Sequence, residues 1–246
     1  MTGSGSLSIP RAEGAKRVMV GWICPGDVTN TFASSLVDTL IRDPDRRIQG
    51  QINLQSSPRI VQARTDMVSS FLETDIDWLL TVDADMSWNY EDFDKVLRAA
   101  DKERRPIVGG LCFAGGRIGP DGGTKIFPTL YDIRPDGDTL RSELILDYPR
   151  NKIFEVSATG AAFMLVHRRV FIHMQNMLGA GNPFPWYAET ILRGKPTGED
   201  ITFCIRATSL GFKVFVHTGA KIRHEKRTYL TEALYDEIRA ENLVDA

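Results

Sequence analysis

Cysteine is scarce in this chain: 246 residues contain three, Cys24, Cys112 and Cys204. They are far apart and odd in number, which argues against a disulfide framework or a zinc cage. Reduced thiols suit a cytoplasmic setting. Long hydrophobic runs are also missing, and none approaches the ~20 residues of a membrane span. Residues 1–15 are rich in Gly and Ser and have no apolar h-region, so they read as a disordered leader rather than a secretory signal. An excess of one charge is absent too. The formal net charge is -2, so no global field recruits nucleic acid or an anionic membrane. G-x-G-x-x-G does not follow the first strand-like run, which weakens a dinucleotide-oxidoreductase reading. G-x-x-x-x-G-K-[ST] is absent, which excludes a P-loop enzyme. No internal repeat or linker divides the chain.

What remains is ordinary in bulk, with hydrophobic content of 42% and charged content of 25%. That suits a globular domain with a well-buried core. The first half alternates strands and helices. Arg17 to Cys24 is a β-rich run that stops at Pro25-Gly26. Phe32, Ala33, Leu36, Val37, Leu40 and Ile41 recur at helical spacing, and Asp43-Pro44 closes that helix. Ile48 to Leu54 predicts a strand. Ile60, Val61, Met67, Val68, Phe71 and Leu72 predict a second helix that leads into a strand over Asp77 to Val82. Asn89 and Asp92 form a cap pair before Phe93, Val96 and Leu97. Pro106 to Phe113 is another buried strand. This alternation predicts an α/β fold with a mixed, mostly parallel sheet and helices on both faces.

The second half has a different texture. A Gly-rich loop spans Gly115 to Gly123. Ile126 to Ile133 reads as one strand, and Phe154 to His167 as another that is kinked at Gly160. A Gly/Pro/aromatic loop runs from Gly179 to Trp186. A helix opens near Gly198 and stops at Gly211, and Lys213 to His217 is a strand. From Lys226 onward Leu230, Leu234 and Ile238 recur at helical spacing. The chain divides into a leader (1–15), a middle segment (16–228) and a helical tail (229–246). Within the middle segment the texture changes at about residue 113, dividing 16–113 from 114–228.

The chemistry concentrates where the Leu79 to Val82 run ends in Asp83-Ala84-Asp85. If strand geometry persists, both carboxylates point the same way, and two such anions call for a cation between them. The tip of a buried α/β strand is also where such sheets bind ligands. A solvated loop start would explain the same triplet. Pro25-Gly26 reads as a turn, or as a wall around a nucleotide base. Arg64 reads as a solvated helix residue, or as a phosphate contact. Glu199 and Asp200 open a helix, where capping explains both; one of them could also be a general base. His224 follows a strand and reads as a surface residue, or as a third ligand to a metal held by two Asp. Trp186, at the end of the aromatic loop, reads as core packing.

These segments, in this order, resemble a GT-A glycosyltransferase of the family 2-like group. The resemblance spans about residues 17 to 225; it implies a catalytic domain over 16–228, with a nucleotide-sugar-binding half (16–113) and an acceptor-binding half (114–228), and lets Trp186 serve as an aromatic platform for a sugar. It rests on Cys24-Pro25, Ala63-Arg64-Thr65, Asp83-Ala84-Asp85, the run Ala158 to Leu165, Gly198-Glu199-Asp200 and His224. It implies a UDP- or GDP-sugar donor held by Mn²⁺ or Mg²⁺, with Asp85 and His224 on the metal and Asp83 on the metal or the ribose. It puts Pro25 and Arg64 along the nucleotide. Gly160 leaves room at the reaction centre, and Asp200, with Glu199 beside it, stands where inverting members keep the base. The acceptor is a hydroxyl on a glycan, protein or small molecule. Thr65 stands where the family commonly has Asn. The Q-x-x-R-W motif of processive synthases is missing, which implies a soluble enzyme adding one or a few sugars. Some retaining GT-A enzymes share the D-x-D and a late His, and a non-catalytic nucleotide- or glycan-binding relative is a further alternative.

Overall fold

A computed structural model describes residues 14–55, 59–117 and 124–226. The expected tail, nearly all of the leader and most of the Gly-rich loop lie outside these residues. The first half contains β1 (Val18–Cys24), α1 (Asn30–Arg42), β2 (Ile48–Gln55), α2 (Ile60–Leu72), β3 (Trp78–Asp83), β4 (Met86–Ser87) and α3 (Tyr90–Ala99). Next come β5 (Ile107–Leu111), β6 (Phe113–Arg117), β7 (Thr124–Pro128), β8 (Leu130–Asp136), β9 (Thr139–Leu144), β10 (Ile153–Val156), β11 (Ala158–Thr159) and β12 (Phe163–His167). The described chain ends with α4 (Arg168–Leu178), β13 (Thr190–Leu192), β14 (Lys195–Thr197), α5 (Glu199–Ser209), β15 (Val214–Lys221) and β16 (Arg223–His224).

The main sheet has seven strands in the order β10-β15-β5-β12-β3-β1-β2. Five run one way, while β12 and β10 run against them. The sheet draws strands from both halves of the chain. Along each strand alternate side chains go to opposite faces. Met19, Leu79, Met164, Val166, Val214 and Val216 pack with α2, α4 and α5 on one face. Val18, Val20, Leu80, Val82, Phe163 and Leu165 pack with α1 and α3 on the other. The sheet is therefore mixed and mostly parallel, with helices on both faces, as the pattern predicts.

Local signals account for the helix ends. Asn89 and Asp92 form the expected capping box at α3. Gly211, with φ at 86°, takes the left-handed turn that lets the chain leave α5. Two expected strands are broken instead. The 126–133 run divides at Thr129, whose N–H donates to the Cys112 carbonyl at 3.0 Å. β7 then pairs with β6, and β8 with β9 and β11. The 154–167 run divides into β10, β11 and β12 in two sheets, with a turn at Ala161-Ala162 before β12.

α1 forms where its spacing predicts, but it buries Phe32, Ser35 and Thr39. The Phe32 ring lies 5.5 Å from both the Trp22 and Trp88 rings. Trp88 donates its backbone N–H to the Ser35 hydroxyl and its Nε1–H to the Thr39 hydroxyl, at 3.0 and 2.9 Å. Val37, Leu40 and Ile41 face outward.

Candidate active site

A cavity of about 590 Å³ opens at the carboxyl ends of β1 and β3. Pro25, Asp27 and Thr29 of the β1–α1 loop form one side, and Ile60 and Arg64 of α2 form another. Asp83, Asp85, Glu199 and Lys226 complete it. This is the crevice at strand tips where open α/β sheets take ligands.

β3 ends at Asp83, and Ala84-Asp85 is a turn. The pleat that would align the two carboxylates does not continue, so each faces a different partner. Asp83 Oδ1 accepts from Arg64 Nη2 at 3.1 Å. Asp85 Oδ2 lies 3.0 Å from His224 Nε2 and accepts from Lys226 Nζ at 3.0 Å. β16 pairs with β4 and carries His224 to this point. The three expected metal ligands are therefore brought together in part: Asp85 and His224 meet, and Asp83 is held by Arg64. Among the described residues, no group of three or more His, Cys, Asp or Glu side chains is arranged to hold a metal ion.

The His224 pair carries chemical information. Nδ1 lies 2.9 Å from the Phe113 carbonyl oxygen. A carbonyl only accepts, so Nδ1 carries a proton. Nε2 faces a carboxylate, which also only accepts. The contact therefore needs a second ring proton or a cation shared between the two groups. A carbonyl that fixes the far ring nitrogen is the usual support for a metal-binding imidazole. An imidazole nitrogen and a carboxylate oxygen suit a divalent ion such as Mn²⁺, so the residues present fit the implied metal.

Arg64 is not a solvated helix residue. It is 6% exposed, and it donates to Glu199 Oε1 at 2.9 Å as well as to Asp83. Its Cζ lies 5.7 Å from the centre of the Tyr187 ring. Burial opposes the cation, but Asp83, Tyr187 and Glu199 outweigh it and hold the Arg64 pKa above its usual value. This guanidinium ties α2, β3 and α5 together beneath the cavity. Glu199 is thereby committed to Arg64.

Asp200 is the freer carboxylate. Its Oδ1 accepts from the Ile201 N–H at 2.7 Å. A Cβ added at Gly160 would sit 3.4 Å from its Oδ2, so the missing side chain keeps this oxygen clear. Burial, then the neighbouring Glu199 charge, raise the Asp200 pKa to about 6, against the Ile201 N–H and Arg64, which lower it. Such a group is ionised at neutral pH and is a stronger base than an ordinary aspartate. Its chain neighbours Gly198 and Ile201 line a second cavity, of about 650 Å³, between the β8–β9 and β13–β14 hairpins, and Glu199 lines the first. Residues 198–201 thus stand between the two spaces.

Trp186 is placed elsewhere. It is buried, donates Nε1–H to the Phe171 carbonyl at 2.8 Å and packs edge-on against the Phe171 ring. It belongs to the core. Lys226 and Tyr187 were not singled out by sequence reasoning. The run of basic residues around His224 is the one feature that could have pointed to Lys226. The buried Tyr187, stacked on Phe203 at 4.9 Å, has no such feature.

No family model matches the chain. No curated protein matches it by sequence. Among solved structures it is similar to A197 from STIV, with a TM-score of 0.52 and 17% identity over 87% of this chain and 97% of that one. It is also similar to GalNAc-T7, a structure holding UDP, GalNAc and Mn²⁺, with a TM-score of 0.56 and 12% identity. That match covers 88% of this chain but 45% of GalNAc-T7. At these identities the likeness establishes the fold alone: the chain shares the mixed α/β architecture of these structures, built as a single domain.

Proposed function

We propose that this chain is a metal-dependent glycosyltransferase that moves a sugar from a UDP- or GDP-sugar to an acceptor hydroxyl with inversion. The observation that carries the reading is the wall formed by residues 198–201. Glu199 lines the cavity that holds Asp83 and Asp85, Gly198 and Ile201 line the second groove, and Asp200 lies within this same turn. The donor enters the first cavity, with Pro25 and Asp27 along the nucleotide. Asp85 and His224 hold the divalent ion, which when bound neutralises charge on the diphosphate leaving group. The acceptor lies in the groove between the hairpins. Asp200 Oδ2 takes the hydroxyl proton as the acceptor oxygen bonds to the anomeric carbon and the bond to the diphosphate breaks. Arg64 is a positioning residue: it fixes Asp83 and Glu199 in place beside the base.

Support comes from the GT-A fold and from the Asp85–His224 pair. The test is thermal unfolding with UDP and GDP, each with and without Mn²⁺, followed by chromatography of nucleoside diphosphate released from UDP- and GDP-sugars. The expected result is a Mn²⁺-dependent rise in Tm with one nucleotide and slow release from its sugar conjugates. Absence of both sinks the proposal.

A further inference from the structure

α1 turns its sides in an unusual sense. Phe32, Ser35 and Thr39 face the core, while the apolar Val37, Leu40 and Ile41 face out. Ala33, Leu36, Val37, Leu40 and Ile41 follow the i, i+3, i+4, i+7, i+8 spacing of a core-facing stripe, and of these Ala33 and Leu36 are half-buried, with Leu36 packed against the core. Yet Val37 is 52% exposed, Leu40 49% and Ile41 79%. An apolar face of this regularity on a surface helix points to something that covers it.

We propose that residues 227–246 of this same chain dock along α1 as an amphipathic helix. The end of the described chain supports this occupant. Thr31, in the first turn of α1, donates to Glu225 Oε2, and the Glu225 N–H donates to the Asp85 carbonyl at 2.8 Å. The chain therefore leaves the described structure beside the N-terminal end of α1. At about 1.5 Å per residue, the 13 residues of α1 run about 20 Å, and the 20 residues from 227 to 246 would cover that as a helix. That segment carries Leu230, Leu234 and Ile238 one turn apart, with Glu232, Asp236 and Glu237 at the intervening positions. Competing occupants fit less well. Residues 1–13 offer Leu7 and Ile9 but no helical repeat. One 13-residue helix face is small beside the ~800 Å² per partner of a standard interface, which disfavours a second copy. A lipid surface would favour a basic flank, and the net charge is -2. The inference does not depend on the proposed activity.

Cysteine crosslinking in the full chain tests it. Leu40→Cys is combined in turn with Leu230→Cys, Leu234→Cys and Ile238→Cys, and each pair is treated with a short bis-maleimide under native conditions. The native thiols Cys24, Cys112 and Cys204 are buried. The expected result is an intrachain crosslink from at least one pair, identified by peptide mass spectrometry. The opposite-face control Leu40→Cys with Asp236→Cys should give little or none. Adding Ile41→Glu should remove most of the product and lower Tm. The proposal is overturned by no intrachain product from any pair, by product between chains only, or by an equal yield from the control. Preferential crosslinking of Leu40→Cys to Ile9→Cys overturns it, as does sedimentation of the unmodified chain with anionic lipid vesicles.

Discussion

Replacing Asp200 with Asn should make the protein more stable at alkaline pH while removing its turnover. The side chain titrates near pH 6, against 3.8 for an ordinary aspartate, because folding buries it beside Glu199. Each tenfold change in proton affinity is worth about 1.4 kcal/mol, so keeping Asp200 ionised in the folded state costs on the order of 3 kcal/mol. The sign follows from the raised pKa. The cost is present in full above about pH 6, shrinks as pH falls toward 4, and vanishes where both states are protonated. Asn removes the charge and can still accept from the Ile201 N–H through Oδ1. Urea unfolding of both proteins at pH 8, 6 and 4 should show the variant ahead by about 1–3 kcal/mol at pH 8 and nearly level at pH 4. A variant that is less stable at pH 8, or a difference that ignores pH, would refute the burial argument. Under the proposed mechanism the same variant loses turnover, and wild-type kcat/KM climbs with pH through about 6, where the base becomes ionised.

Further outcomes follow from the neighbours of Asp200. Asp85→Ala should abolish the Mn²⁺-dependent nucleotide shift in Tm while the ligand-free Tm stays near that of wild type, because the side chain is 37% exposed. A retained shift would remove Asp85 from the metal site. Arg64→Met leaves Glu199 without its buried partner and Asp83, which is 42% exposed, free to hydrate, so urea unfolding should show a loss of about 1–3 kcal/mol. The kcat/KM profile of that variant should also move to higher pH, since Arg64 helps hold Asp200 ionised. Gly160→Ala puts a methyl 3.4 Å from Asp200 Oδ2. Circular dichroism should find it folded, and turnover should fall by about tenfold or more through misplacement at the base. Full turnover would mean that the acceptor does not approach from that side.

Much of the frame was legible because it rests on local patterns. The apolar runs at Val18–Cys24 and Trp78–Asp83 are strands buried on both faces, and such runs announce themselves. Asn89 and Asp92 read as a cap at sight. Strand direction is another matter. The pleat of Phe163–His167 carries no mark that it will enter antiparallel between β3 and β5. Long-range partners were equally hidden. Arg64 looks like any helix arginine until the fold brings up Asp83, 19 residues away, and Glu199, 135 away. Asp85 was read in strand geometry because an apolar run does not say at which residue the pleat stops. On α1, Ser35 and Thr39 sit four apart like a core stripe. Their hydroxyls face inward because Trp88 supplies two N–H donors, and the sequence of the helix alone does not contain that partner.

β12 also constrains how the protein can be made. β3 and β5 are not neighbours: residues 163–167 lie between them and hydrogen-bond to both. A nascent chain that has emerged only through residue 113 holds four of the seven main-sheet strands, β1, β2, β3 and β5, but lacks the strand that joins β3 to β5. Its β3 and β5 each present an unpaired edge until another fifty-odd residues leave the ribosome. Translation speed across 114–167 therefore sets how long that split sheet is exposed to other chains. Slow codons there would be expected to raise aggregation in a cell, and co-expressed chaperones to relieve it.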